Sequence, residues 1–172
     1  MFTEVEFLDR FEAAAVAGFK AVECIFPYAY AAAEIKQRLD DHGLMMVKFN
    51  LPPGDPDAGD FGLTALPGRE SEFRESLGEA IEYARLLACP QLHTLAGLAA
   101  EGEDSAKNME TYVENLDFAA AAMAEGGVRL LIEAINTRDF PGYFLSRTAQ
   151  ALEVLEAVAS ENLFLQYDVY HM

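Results

Sequence analysis

Two acidic residues in the C-terminal half of the chain each follow an apolar segment and could bind a metal ion. Glu133 follows the apolar residues 130–132, and Asp168 follows a second apolar segment one predicted helix later. Burying a carboxylate there is costly unless it is paired, protonated or bound to a cation. On neighbouring parallel strands, the two carboxylates would supply part of a site for Mg²⁺ or Mn²⁺. His171 would lie in the loop at the same rim, where it could contact a ligand or the metal.

Other polar residues also lie near the ends of apolar segments, namely Glu23, Asn50 and His93. Two of them have an ordinary structural explanation: Glu23 could be an acid at the end of a strand, and a single histidine such as His93 is more often a hydrogen-bonded core residue than a ligand. Glu133 could likewise pair with a lysine or arginine across the sheet, because structural ion pairs often imitate functional sites. Residue types alone leave both interpretations open.

Helical and strand-like segments alternate along the chain. Apolar residues at helical spacing predict helices, and short apolar runs between them predict strands. The predicted helices cover residues 7–18, 31–42, 70–88, 105–125 and 146–159, and the predicted strands cover residues 21–26, 44–50, 91–96, 129–135 and 163–169. Residues 51–68 contain four prolines and four glycines without a clear period. Such a long segment is typical of a lid or a binding loop.

This alternation predicts a parallel sheet covered by helices. A doubly wound nucleotide fold would need a glycine-rich turn, but neither G-x-G-x-x-G nor G-x-x-x-x-G-K-[ST] occurs, so no nucleotide cofactor is expected. Polar residues at the carboxyl ends of several strands favour a β/α barrel, which typically needs about 250 residues. We therefore expect an α/β fold, a partial (β/α)8 TIM barrel of about five parallel strands with flanking helices. Residues 1–172 would form one incomplete domain that lacks the first strand and the last two βα units.

Composition excludes several classes of function. The chain of 172 residues has 12 lysines and arginines against 29 acidic residues, for a formal net charge of −17. This charge disfavours nucleic acids and anionic membranes as partners. The sequence has no apolar run of about 18 residues that could span a bilayer. With only Cys24 and Cys89, and no recognisable signal peptide, we expect a cytoplasmic protein with reduced cysteines.

Seven short segments occur in the order found in one known family and extend over nearly the whole chain. They are residues 7–11, 18–23, 26–28, 50–52, 66–70, 131–136 and 166–172, the last two reading LIEAIN and QYDVYHM. Through these segments the chain resembles the hydroxypyruvate isomerases, which belong to the xylose-isomerase-like barrels. The two strand motifs around residues 131–136 and 166–172 are the most specific part of the resemblance.

The resemblance implies interconversion of hydroxypyruvate and 2-hydroxy-3-oxopropanoate through an enediolate, assisted by Mg²⁺ or Mn²⁺. It implies that Glu133 is a catalytic acid/base at the metal position, that Asp168 is a metal ligand, and that His171 orients substrate oxygens. We expect three further substrate-binding residues, namely His93, Glu23 and Arg69. The expected substrate is a small hydroxy-keto acid or a sugar-like molecule.

The sequence also departs from the family pattern. Ala134 replaces an expected proline and Pro56 an expected aromatic residue, but neither change removes a reacting group. The family's second catalytic glutamate and its remaining metal ligands would follow Met172, so we expect little or no activity from this chain alone. The open sheet edges of a partial barrel predict self-association. The alternatives are a ketose 3-epimerase, an inosose dehydratase, or a non-catalytic remnant of the barrel.

Overall fold

The computed structural model describes residues 1–99 and 105–172, and within them helices and strands alternate as predicted. The helices are α1 (Arg10–Val16), α2 (Ala32–His42), α3 (Glu70–Leu87), α4 (Ser105–Glu125) and α5 (Thr148–Val158). The strands are β1 (Ala21–Glu23), β2 (Met45–Asn50), β3 (Gln91–His93), β4 (Arg129–Glu133) and β5 (Leu163–Gln166). Three short 3₁₀ turns cover Phe7–Asp9, Pro56–Ala58 and Val169–His171.

The five strands form one parallel sheet in the order β1-β2-β3-β4-β5, so each strand pairs with the next one in the chain. Successive helices pack against each other, with contacts between α1 and α2, α2 and α3, α3 and α4, and α4 and α5. This arrangement of parallel strands and flanking helices confirms the predicted TIM-barrel-like α/β fold.

The two faces of the sheet have different characters. Leu92 and Ile132 are fully buried in the hydrophobic core shared with the helices. Because side chains alternate along a strand, the next residues, His93 and Glu133, point to the opposite face, called here the inner face. Asn50, the register partner of His93 on β2, points to the same face. Polar residues near the carboxyl ends of three strands are thereby brought to one side of the sheet.

Four of the five predicted strands extend two or three residues beyond the observed strands. After β3, the extra apolar residues are buried without forming a strand. Leu95 and Ala96 are buried, but their backbone carbonyls accept hydrogen bonds from the loop before α3. The Thr94 amide still donates a 3.0 Å hydrogen bond to the Leu131 carbonyl on β4. Beyond Thr94, burial under this loop explains the apolar sequence.

The long loop over residues 51–68 is present as predicted, but its middle is fixed. Thr64 and Ala65 are fully buried, and their carbonyls accept hydrogen bonds of 2.9 Å from the side chains of Asn115 and Asn108 on α4. The Thr64 hydroxyl lies 2.6 Å from the hydroxyl of Thr94 after β3. This part of the loop is packed and hydrogen-bonded in place at the carboxyl ends of the strands, unlike a lid that is free to open.

Gly62 in this loop provides a first test of the packing. Its φ is +107°, and an added Cβ would lie 2.3 Å from the backbone oxygen of Leu95. Gly62→Ala is expected to lower the free energy of unfolding by about 1–3 kcal/mol, measured by urea denaturation with circular dichroism. Gly59→Ala is the matched control, because Gly59 also has a positive φ of +87° but open space around it. Equal losses in the two variants would contradict the close contact with Leu95.

Candidate metal and acid–base site

Glu133 is the last residue of β4 and lies on the inner face with 6% of its surface exposed. Burial raises the pKa of its carboxyl group. A hydrogen bond from the Gln166 side chain opposes this shift, as does the positive charge of Lys48. Glu133 and Gln166 are direct partners in the register between β4 and β5. The carboxylate is therefore held in place by its neighbour on the next strand while its charge is costly to bury.

Asp168 and His171 are positioned by the 3₁₀ turn that follows β5. The Asp168 carboxylate accepts a 2.8 Å hydrogen bond from the Tyr170 amide, and the Asp168 carbonyl accepts a 3.1 Å bond from the His171 amide. The predicted strand over residues 163–169 ends three residues earlier, at Gln166. The turn brings one side-chain atom each of Glu133, Asp168 and His171 within 4.8 Å of one another.

The hydrogen bonds around His171 determine which of its ring nitrogens carries the proton. The side-chain oxygen of Asn136 accepts hydrogen bonds from the amides of Arg138 and Asp139, at 3.0 and 2.9 Å. Its side-chain nitrogen therefore faces His171 Nδ1, 2.8 Å away, and donates to it. Neutral His171 then carries its proton on Nε2, which makes Nε2 a hydrogen-bond donor. Such a histidine is better suited to bind an oxygen of a ligand than to bind a metal through Nε2.

His93 lies beside Glu133 in the interior. Its side chain is 1% exposed, and burial, together with the charge of Lys48, lowers its pKa to about 3. His93 is therefore neutral at pH 7, and the 4.0 Å between Nε2 and the Glu133 carboxylate is not an ion pair. Nδ1 lies 3.2 Å from the side-chain oxygen of Asn50, while Nε2 has no hydrogen-bond partner among the described residues. Nε2 of His93 is therefore a buried polar atom beside Glu133 that a ligand could hydrogen-bond.

The other two predicted substrate-binding residues have different surroundings. The side chain of Glu23 is 62% exposed, and its carboxylate lies 3.5 Å from the Lys48 ammonium. The Arg69 guanidinium donates to Asp60 at 2.7 and 3.1 Å and to Glu72 at 2.6 and 2.7 Å. Arg69 thereby ties the long loop to the start of α3, and its role in substrate binding stays a prediction.

The pair formed by Asp60 and Arg69 predicts a pH-dependent contribution to stability. The hydrogen bonds from Arg69 lower the pKa of Asp60. Because the folded pKa lies below the unfolded value of about 3.9, the stabilisation is complete above that pH and is lost as the pH falls through the folded pKa. Asp60→Asn should therefore lower the free energy of unfolding at pH 7 by about 1–3 kcal/mol, with a smaller difference at pH 3.

Urea denaturation at low protein concentration measures both values. Asp40→Asn is the control, because Asp40 pairs with Lys36 on the exposed surface of α2 and should contribute only about 0.3–0.5 kcal/mol. A difference between wild type and Asp60→Asn that does not change between pH 7 and pH 3 would contradict the assignment.

Lys48 and Asn136 contact residues of the site, although the sequence alone predicts no role for either. Lys48 reaches Gln166, and Asn136 orients His171. Lys48 could have been found from the alternation of side chains along the predicted strand. It lies between Val47 and Phe49, two residues before Asn50, and residues two apart share one face of a strand. No such signal existed for Asn136, which acts through a turn.

The donor set fits a divalent cation of the Mg²⁺ or Mn²⁺ type. Glu133 and Asp168 supply carboxylate oxygens within reach of one ion, and such hard cations prefer oxygen ligands. A bound cation would also relieve the cost of the buried Glu133 charge. The residues that would hold the ion are therefore Glu133 and Asp168. His171 lies beside them, where it can contact an oxygen of a ligand.

The sequence model of the xylose isomerase-like TIM barrel family matches residues 11–172. The chain belongs to this family. It is 52% identical over 171 residues to a 2-oxo-tetronate isomerase from Cupriavidus necator, covering 99% of this chain and 66% of that protein. It is 44% identical over 172 residues to the hydroxypyruvate isomerase of Escherichia coli, covering 100% of this chain and 67% of that protein.

A solved structure of the same family is also very similar. The crystal structure of a protein from Brucella melitensis, described as an AP endonuclease of family 2, matches with a TM-score of 0.97 at 44% identity. The match covers 99% of this chain and 66% of that one. The chain thus spans about two thirds of the length of the family members it matches. The resemblance to the xylose-isomerase-like barrels, stated from sequence segments, is confirmed.

No helix in residues 1–99 or 105–172 is both long and apolar enough to cross a lipid bilayer.

Proposed function

We propose that this chain carries the carbonyl-binding part of an isomerase that acts on hydroxypyruvate or a similar short 2-oxo acid. The observation that carries the proposal is the cluster of Glu133, Asp168 and His171 at the carboxyl ends of neighbouring strands, where one potential ligand atom from each residue lies within 4.8 Å of the others. The names of the two relatives described above, both isomerases of small oxo acids, support this choice.

Each residue of the cluster has a separate role in the proposed reaction. Charged Glu133 takes a proton from the hydroxymethyl carbon next to the substrate carbonyl, which gives the enediolate, and the protonated carboxyl returns it to the neighbouring carbon. The hydroxyl proton of the first carbon moves to the former carbonyl oxygen, so that the hydroxymethyl carbon becomes the aldehyde. Asp168 and Glu133 would hold the divalent ion, which when bound would polarise the carbonyl and stabilise negative charge on the substrate oxygens. His171 donates a hydrogen bond from Nε2 to a substrate oxygen and so fixes the carbonyl relative to Glu133.

The test measures how fast the hydroxymethyl hydrogens of hydroxypyruvate exchange with D₂O. Proton NMR monitors the exchange with Mg²⁺ present. Among the described residues, Glu133 is the one buried carboxylate, so exchange should be measurable while complete conversion to the aldehyde is slow. Exchange no faster than with Mg²⁺ alone would contradict the proposal. Faster exchange with a neutral ketose than with hydroxypyruvate would favour the 3-epimerase alternative.

The remaining expectations stay predictions. They are weak activity of the 172-residue chain, one incomplete barrel domain over residues 1–172, self-association through sheet edges, no nucleic-acid partner and a cytoplasmic location. The high negative charge of the chain supports the expectation about nucleic acids.

A further inference from the structure

Lys48 is a largely buried cation on the inner face of the sheet. It lies on β2, two residues before Asn50, and only 13% of its side chain is exposed. Its ammonium group donates a 3.0 Å hydrogen bond to the side-chain oxygen of Gln166 on β5. Lys48 therefore extends from the second strand to the fifth and ends next to the residue that hydrogen-bonds Glu133.

The positive charge of Lys48 is weakly compensated. Its one acidic partner among the described residues is Glu23, at 3.5 Å, and the Glu23 side chain is 62% exposed. Ion pairs with such exposed partners contribute little, whereas a buried charge normally needs a close counter-ion. Gln166 is neutral, and an ammonium has three hydrogens to donate. With one hydrogen directed to Gln166 and one facing Glu23, Lys48 keeps a hydrogen that it can donate to a ligand.

The free donor lies close to the proposed reaction centre. Gln166 accepts the hydrogen bond from Lys48 through its side-chain oxygen, and it is the direct register partner of Glu133 between β4 and β5. The ammonium group therefore ends at the strand position beside Glu133. The charge of Lys48 acts on both Glu133 and His93, whose pKa values it lowers. A short ligand with one end at Glu133 can therefore extend its other end towards Lys48.

We propose that Lys48 is a substrate-specificity residue, which binds the carboxylate of a short 2-oxo acid whose hydroxymethyl end lies at Glu133. This inference rests on the proposed function, because it assumes that Glu133 marks the reacting end. The chain has a net charge of −17 and would otherwise repel an anion. A cation inside the site reverses this preference locally, so Lys48 favours acids over neutral ketoses of the same size.

The experiment compares two probes that differ only at this end. Hydroxypyruvate carries a carboxylate where 1,3-dihydroxyacetone carries a hydroxymethyl group, and NMR titration of the 172-residue chain with Mg²⁺ measures both affinities. Lys48→Met should weaken hydroxypyruvate binding by about ten- to a hundredfold and leave dihydroxyacetone binding unchanged. Lys48→Arg should retain most of the affinity, which separates loss of charge from loss of fold. Lys36→Met, the same change on the surface of α2, should have no effect.

The outcomes distinguish this inference from the proposed function. Unchanged hydroxypyruvate affinity in Lys48→Met, or equal losses for both probes, would overturn the inference and leave Lys48 a structural partner of Gln166. Binding of neither probe by the wild-type chain would overturn the proposed function together with the inference. Hydroxypyruvate binding without proton exchange would contradict the proposed function alone.

Discussion

Glu133→Gln is expected to slow proton exchange at the hydroxymethyl carbon of hydroxypyruvate by about 10²–10⁴-fold, the usual contribution of a general base. The amide has the same shape as the carboxylate and can still pair with Gln166, so the strand register between β4 and β5 should persist. It cannot accept a proton from carbon. Proton NMR in D₂O, under the conditions of the wild-type assay, measures the rate.

Glu82→Gln is the matched control for this variant, because it makes the same change on the exposed surface of α3. It should retain the wild-type exchange rate. If Glu133→Gln folds with unchanged circular dichroism and exchanges within threefold of wild type, Glu133 is not the base.

Asp168→Asn is expected to weaken Mn²⁺ binding by about a hundredfold, because it removes one of the two carboxylates of the proposed ligand set. The side-chain oxygen of asparagine can still accept the hydrogen bond from the Tyr170 amide, so the turn that carries His171 should be preserved. Isothermal titration calorimetry with Mn²⁺ measures the dissociation constant of both proteins.

Asp40→Asn controls for the loss of one negative charge from an acidic chain. Asp40 lies on the surface of α2, where it pairs with Lys36, and its removal should change the Mn²⁺ affinity little. Equal weakening in Asp168→Asn and Asp40→Asn would show that Mn²⁺ binds the acidic surface in general and not this site.

The order of helices and strands could be predicted because it depends on local hydrophobic periodicity. Apolar residues at helical spacing and short apolar strands place all five βα alternations correctly, and the parallel order follows from the crossover connections. Glu133 was recognisable for a similar reason. A carboxylate directly after three apolar residues must be buried, and a buried carboxylate needs a partner.

The ends of the strands could not be predicted in this way. Residues 94–96 are as apolar as the strand before them, but they are buried beneath the loop over residues 51–68. Hydrophobicity reports burial and does not distinguish a strand from a covered loop. For the same reason, Asp168 was placed in a strand although it begins the turn that positions His171.

The sequence by itself determined the fold class, the acidic character and the candidate carboxylates, because each depends on residue type and local spacing. The tertiary structure alone decided which side chains meet. Lys48 and Gln166 are 118 residues apart and come into contact because the parallel strands bring them to the same inner face. Which ring nitrogen of His171 carries the proton is likewise decided by Asn136, which lies 35 residues earlier in the chain. The orientation of the Asn136 side chain depends on the turn that begins at this residue. Contacts between distant strands and turns assemble this candidate site, and no local pattern encodes them.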